Sequence, residues 1–321
     1  MPGNTRWYPF LAVYYLTYSC QFRCPYCCDG SGTPYYKLNT ESAAVGQAIQ
    51  YLTRIRSFCK DVVISGGEPL EYPQFSAFIK QIPALRFRQV ILTTNGFAVD
   101  KFLETIAVAV DSLVFSLDTL DHGKADAWHG IGAGSLAKIL GNIEQADRYH
   151  IKRYQITISS VVTPNNIEDL YAVYKYAKQR NYIFAAAPQL MGVKAHPELF
   201  NNPRYIQFFN FLIAEKKKKG PIFGSRLYLE YLRDLKKFKC FPFTMLVVAP
   251  LGEVFYPCLE IGHPGGHILT NMSLHRLRQV AARQFGSQPA CDIRCHSACA
   301  LGFSIFLQNP LPTIKEKFLA H

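Results

Sequence analysis

Short apolar runs recur through the first 190 residues, separated by longer stretches in which apolar side chains return every three or four positions. Buried strands joined by amphipathic helices produce that alternation. Residues 10–16 (Phe-Leu-Ala-Val-Tyr-Tyr-Leu) read as the first strand. A helix opened by Asn39, Thr40 and Glu41 follows, running to about Arg56. Strands are then expected over 62–64, 89–93, 112–116, 155–162 and 183–187, and helices over 73–82, 100–108, 135–149 and about 167–180. Six strands joined by helices describe a parallel α/β architecture. The periodicity alone fits a partial (β/α)6 TIM-like barrel and an open doubly wound sheet equally.

Beyond the sixth strand the texture changes. Residues 202–237 carry two helical segments rich in Phe, Leu and Tyr, and after Phe238 cysteines, glycines and prolines cluster. The expected division is a core over 1–200, a helical linker over 201–238 and a small cysteine-rich α+β module with a tail over 239–321. Within that module 247–249 and 254–258 read as a β-hairpin turning at Gly252.

The chemistry concentrates where the first strand ends, at Cys20-Gln-Phe-Arg-Cys24-Pro-Tyr26-Cys27. Three thiolates on one tight loop can hold three irons of a four-iron cluster and leave the fourth without a protein ligand. Zinc, which takes four ligands, is the competing occupant. With Tyr26 before its last cysteine, the loop resembles the signature of the radical S-adenosylmethionine (radical SAM) enzymes. That resemblance decides for the partial barrel. It implies a SAM-binding [4Fe-4S] cluster on Cys20, Cys24 and Cys27, S-adenosylmethionine on the open iron, and a 5′-deoxyadenosyl radical that takes hydrogen from the substrate.

Other strand ends carry the same resemblance. Ser65-Gly66-Gly67-Glu68-Pro69 follows the second strand. Its glycines let the backbone approach a ligand, and Glu68 offers a carboxylate to an ammonium. It resembles the family motif that holds the methionine amino group. Thr94 and Asn95 end the third strand and Ser116 and Asp118 the fourth, where short polar side chains suit ribose hydroxyls and a carboxylate. Both stretches look like SAM-contacting positions, as do Ser159 and Val161 after the fifth strand and Tyr26 beside the adenine. Turn formation and capping are the structural alternatives for Asn95 and Asp118.

A second group, Cys240, Cys258, Cys291, Cys295 and Cys299, holds half of the ten cysteines. The spacing Cys291-x3-Cys295-x3-Cys299 places thiols one helical turn apart, or on a loop wrapping a metal. The layout resembles the SPASM and twitch modules of radical SAM enzymes, which implies a second, auxiliary Fe–S cluster. A structural zinc site is the alternative. Cys28 and Cys59 read as non-ligands, and His122 and His129 as loop histidines outside the site.

No apolar run reaches the length of a membrane span, and the first nineteen residues lack a signal-peptide pattern. Clustered cysteines argue for metal in a reducing compartment, the cytoplasm, rather than for disulfides. The net charge of +12 suggests an anionic partner. The densest basic run, 216–219, reads as a solvated helix end. Nucleic acid has no motif in its support. The expected reaction is oxidation or bond formation on an anionic small molecule or lipid head group. A flavodoxin or ferredoxin is expected as reductant. A ribosomally made peptide is the alternative substrate, although only nineteen residues precede Cys20, too few for a leader-binding domain. A non-catalytic zinc scaffold is the alternative from another class.

Overall fold

The computed structural model describes residues 9–29, 31–149, 152–241, 244–258, 260–271, 273–286 and 295–310. Strands β1 (Leu11–Thr17), β2 (Asp61–Gly66), β3 (Gln89–Thr94), β4 (Ser112–Ser116), β5 (Gln155–Val162) and β6 (Ile183–Pro188) pair in sequence order, all parallel. A small hairpin, β7 (Leu190–Met191) and β8 (Lys194–Ala195), follows β6. Past β1 the same sheet is extended by β9 (Met245–Val248), β10 (Glu253–Tyr256) and β11 (His263–His267). The helices are α1 (Val45–Phe58), α2 (Phe75–Ile79), α3 (Leu103–Ala109), α4 (His122–His129), α5 (Ser135–Arg148), α6 (Asp169–Gln179), α7 (Pro203–Lys217), α8 (Arg226–Arg233), α9 (Leu274–Phe285) and α10 (Ala298–Gln308). This mixed α/β fold with a parallel sheet agrees with the partial barrel expected from sequence.

Strand alternation separates two faces. One face carries Ala12, Tyr14 and Leu16 of β1, Val62 and Ile64, Leu92, Leu113 and Phe115, and Ile158, all buried in the core. The opposite face presents Val13 and Tyr15, Val63 and Ser65, Thr93, Val114 and Ser116, Ser159, and Ala185 in register across the sheet. That inner row is aliphatic below and hydroxyl-bearing toward the carboxyl ends of the strands. Charged pairs lie elsewhere: Arg88 grips Asp61 at the start of β2, and Lys178 binds Glu215 between α6 and α7.

The first helix starts later than its sequence signals suggest. Asn39 Oδ1 accepts the Glu41 N–H at 3.0 Å, closing a turn on itself, and α1 begins only at Val45 after the uncapped Ala44. Helix α4 and the strands β7, β8 and β11 are not anticipated by periodicity. The hairpin at Gly252 forms, with Gly252 at φ 94°. It is more than a local hairpin, because β9 lies parallel to β1, with Leu11 opposite Met245. No helix among the described residues is long and apolar enough to cross a membrane.

Candidate functional site

The cysteine loop leaves β1 under tight backbone control. Gly67 donates its N–H to Thr17 O and Glu68 donates to Ser19 O, both at 2.8 Å, so pairing continues past the strand to the residue before Cys20. The two glycines are needed for that approach. A Cβ on Gly66 would stand 2.2 Å from Thr17 O, and one on Gly67 2.4 Å from Ser19 O. The glycines therefore admit the cysteine loop's own backbone. The loop then turns on itself: Arg23 Nη1 donates to Cys20 O at 2.6 Å and Cys27 N to Cys24 O at 3.1 Å.

Cys20 and Cys24 are half-buried and Cys27 is exposed. Desolvation pushes the Cys20 thiol up to about 11. It raises Cys24 too, and the nearby Cys27, Asp118 and Cys20 raise that thiol further. Such thiols stay protonated until a cationic centre arrives to stabilise their thiolates. Among the described residues no three His, Cys, Asp or Glu side chains converge as they would around one ion. In donor chemistry, three thiols on one loop fit a [4Fe-4S] cluster, whose irons take thiolate ligands. Cys28 bridges to Pro34 through its backbone, and buried Cys59 donates its S–H to carbonyls at the foot of the sheet.

The next strand ends rim this loop. Glu68 is buried, and its carboxylate accepts from Asn95 N at 2.6 Å, Thr94 Oγ1 at 2.7 Å and Leu70 N at 3.0 Å. Burial pushes it up to about 7 despite those bonds. Pro69 opens a short 3-10 helix behind it. Asn95 faces the loop, its Nδ2 4.0 Å from Cys20 Sγ. Asp118 accepts the Tyr26 hydroxyl and, at 2.7 Å, the Val161 N–H, and desolvation moves it up to about 6. Ser116 and Ser159 lie opposite each other on the inner row. The structure thus brings Tyr26, Glu68, Thr94, Asn95, Ser116, Asp118, Ser159 and Val161 around one strand-end rim.

Sequence reasoning missed Asn166 and α4. Asn166 is buried and gives its amide to Asp118 O at 3.0 Å and Val161 O at 2.8 Å, tying the ends of β4 and β5 together. Buried amides often work this way, but one Asn beside another in a polar run carried no signal. Helix α4 packs on the cysteine loop, with Trp128 edge-on to Tyr26 at 5.7 Å. Asp121 caps its first turn, a readable sign that stood beside no apolar period.

The second group is partly described. Cys258 and Cys295 are half-buried and Cys299 is exposed. Cys295 lies on a loop, not one turn below Cys299, because Ser297 between them caps α10. Ser297 also hydrogen-bonds Glu260, whose charge, after desolvation, raises the Cys258 thiol. Cys240 is half-buried, and Cys291 lies outside the described residues. His296 is buried, accepting Ala195 N at 3.2 Å on one ring nitrogen and contacting Leu235 O at 3.1 Å with the other. The module therefore extends the sheet beyond β1 and also grips the hairpin after β6.

The family model of the Radical SAM superfamily matches residues 14–177. Among curated proteins, a probable GTP 3′,8-cyclase of Methanococcus aeolicus is 28% identical over 173 residues, 52% of this chain and 55% of that protein. A GTP 3′,8-cyclase of Campylobacter jejuni is 29% identical over 216 residues, 64% and 66% respectively. The chain spans between about half and two thirds of the length of these relatives. Among solved structures, anSMEcpe with bound AdoMet has TM-score 0.62 and 17% identity, covering 97% of each chain. Streptococcus suis SuiB bound to S-adenosylmethionine has TM-score 0.61 and 17% identity, covering 78% of this chain and 60% of its own. These last two are likenesses of fold.

Proposed function

As the chain belongs to the radical SAM superfamily, we propose that its bound [4Fe-4S] cluster and S-adenosylmethionine supply a 5′-deoxyadenosyl radical that takes hydrogen from a substrate C–H bond. The carrying observation is the thiol trio of Cys20, Cys24 and Cys27, held on a loop hydrogen-bonded to the Gly-Gly-Glu turn. Buried Glu68 and half-buried Asp118 act as acceptors that order this rim. Glu68 aligns the ends of β2 and β3, and Asp118 ties Tyr26 to β5. Tyr26, Asn95, Ser116 and Ser159 are the groups placed to meet S-adenosylmethionine. The residues over 239–321 form the module for an auxiliary Fe–S cluster, with Cys240 and Cys258 as ligands and two of Cys291, Cys295 and Cys299 completing the set. That cluster assists an oxidation or a bond formation, with a flavodoxin or ferredoxin as the reductant in the cytoplasm.

The substrate we infer is an anionic small molecule or head-group-bearing molecule, supported by the net charge of +12. A peptide is the second reading. The inner strand row of aliphatic and hydroxyl side chains suits an uncharged reacting group. SuiB bound to precursor peptide SuiA and anSMEcpe with a bound Kp18Cys peptide share the fold.

Anaerobic purification with iron, sulfide and zinc analysis tests the class. Brown protein that forms 5′-deoxyadenosine from S-adenosylmethionine under reductant is expected; colourless zinc protein inert toward it refutes the reading. Cys24→Ala should abolish cleavage and Cys28→Ala should not.

A further inference from the structure

Helix α4 meets the cysteine loop through two side chains and one backbone bond. Arg23 donates its backbone N–H to His129 O at 2.9 Å. The His129 ring lies flat on Phe22, centroids 4.1 Å apart and planes within 10°. Trp128 meets Tyr26 edge-on. Phe22 itself is buried, with Phe97 edge-on to it at 5.7 Å. It is the buried apolar anchor inside the triad, two residues past Cys20 and two before Cys24.

His129 is in turn fixed from behind. Ser135 Oγ donates to Asp126 Oδ1 at 2.6 Å, and Asp126 also accepts the N–H groups of Gly134 and Ser135 at 2.9 Å. With the serine proton committed to Asp126, the 2.7 Å contact between Ser135 Oγ and His129 Nδ1 is a bond that Nδ1–H donates. The ring is thereby locked in one tautomer and one orientation. Burial holds it neutral, its pKa lowered to about 4, so stacking on Phe22 desolvates no charge.

We propose that His129 is a positioning residue for the cysteine loop: its ring, anchored through Ser135 and Asp126, fixes Phe22 and with it the backbone that presents Cys20, Cys24 and Cys27. Phe22 is the loop's fully buried side chain, while Cys20 and Cys24 pack only partly buried against the core. Cys27 and Arg23 are exposed, and stacked aromatic pairs contribute about 0.5–1.5 kcal/mol beyond their buried area.

The first test uses the protein without cluster. N-ethylmaleimide labelling is followed residue by residue by mass spectrometry, with buried Cys59 as the internal reference. His129→Ala should speed labelling of Cys20 and Cys24 about fivefold, the effect of roughly 1 kcal/mol of lost local order, while Cys59 stays protected. His129→Phe keeps a flat ring on Phe22 and should return the rate to near wild type. Equal rates in wild type and His129→Ala overturn the proposal, as does a phenylalanine variant as fast as the alanine one. Should His129→Ala expose Cys59, Ser135→Ala is read instead. It should speed Cys20 labelling while Cys59 stays protected, and an unchanged rate overturns the proposal.

A second readout rests on the reading of these thiols as cluster ligands. Reconstituted His129→Ala should hold less iron at the loop and give a broadened reduced-cluster EPR signal, which His129→Phe sharpens again. Wild-type protein that takes up no iron defeats the functional reading, while the labelling result still judges the role of His129.

Discussion

Replacing Gly67 with alanine is the sharpest test of how the strand-end turn holds the cysteine loop. The added Cβ would stand 2.4 Å from Ser19 O, 2.5 Å from Tyr18 O and 2.8 Å from Tyr18 C, all backbone atoms. Each lies about 1 Å inside ordinary contact, and backbone cannot swing away as a side chain would. The loop must retreat, breaking the bonds from Gly67 N to Thr17 O and from Glu68 N to Ser19 O. Overpacking costs about 1–3 kcal/mol and the two hydrogen bonds about 1 kcal/mol each. Together they come to about 3–5 kcal/mol, a melting shift on the order of 10 °C. The control is Gly46→Ala on α1, where nothing lies within 4 Å of the added carbon; it should be neutral or stabilising by about 0.5–1 kcal/mol. Thermal unfolding of both variants, with iron content after reconstitution, gives the result. Gly67→Ala should melt well below Gly46→Ala and retain less iron. If the two melt together with equal iron, the close approach does not hold the loop.

Three further outcomes are expected. Glu68 titrates near 7 in the fold against 4.5 when unfolded. The native state therefore holds the extra proton between those values, and this group's contribution falls as pH rises through that window and is flat above it. Urea midpoints at pH 5 and 8 should show a loss on the order of 2 kcal/mol that Glu68→Gln reduces; an equal loss in both proteins rejects the assignment. Tyr26→Phe deletes the donor to half-buried Asp118, which should cost about 1–2 kcal/mol and weaken SAM binding in calorimetric titration of reconstituted protein; unchanged stability and affinity would count against that link. His296→Ala leaves Ala195 N and Leu235 O without their partner. It should cost about 2–4 kcal/mol and speed proteolysis of the carboxyl-terminal module, and a protease pattern like wild type contradicts the docking described.

Much of the barrel was legible because strand and helix periods are local properties. The limits of β4 and β5 match the expected 112–116 and 155–162. Helix α4 was not legible: its segment, His-Gly-Lys-Ala-Asp-Ala-Trp-His, has one buried residue, Ala125, and so no apolar stripe. Its stability comes from packing on a loop distant in sequence. The same distance hides the parallel pairing of β9 with β1, since two apolar segments do not encode which strand edge each will meet. At the site, residue types marked the strand ends correctly, but the bonds of Glu68 were out of reach. A carboxylate that accepts three protein donors and one that meets a ligand read alike in sequence.

The pairing of β9 with β1 also sets an order of assembly. On the growing chain β1 keeps one edge bare until Met245 and its neighbours arrive to cover Leu11–Tyr14. Contacts so far apart along the chain form slowly, and an uncovered parallel edge is a template for stray association. The nascent chain thus carries its sticky margin beside the cysteines until β9 is made, and a ribosome that stalls before Met245 releases a sheet with that edge uncovered.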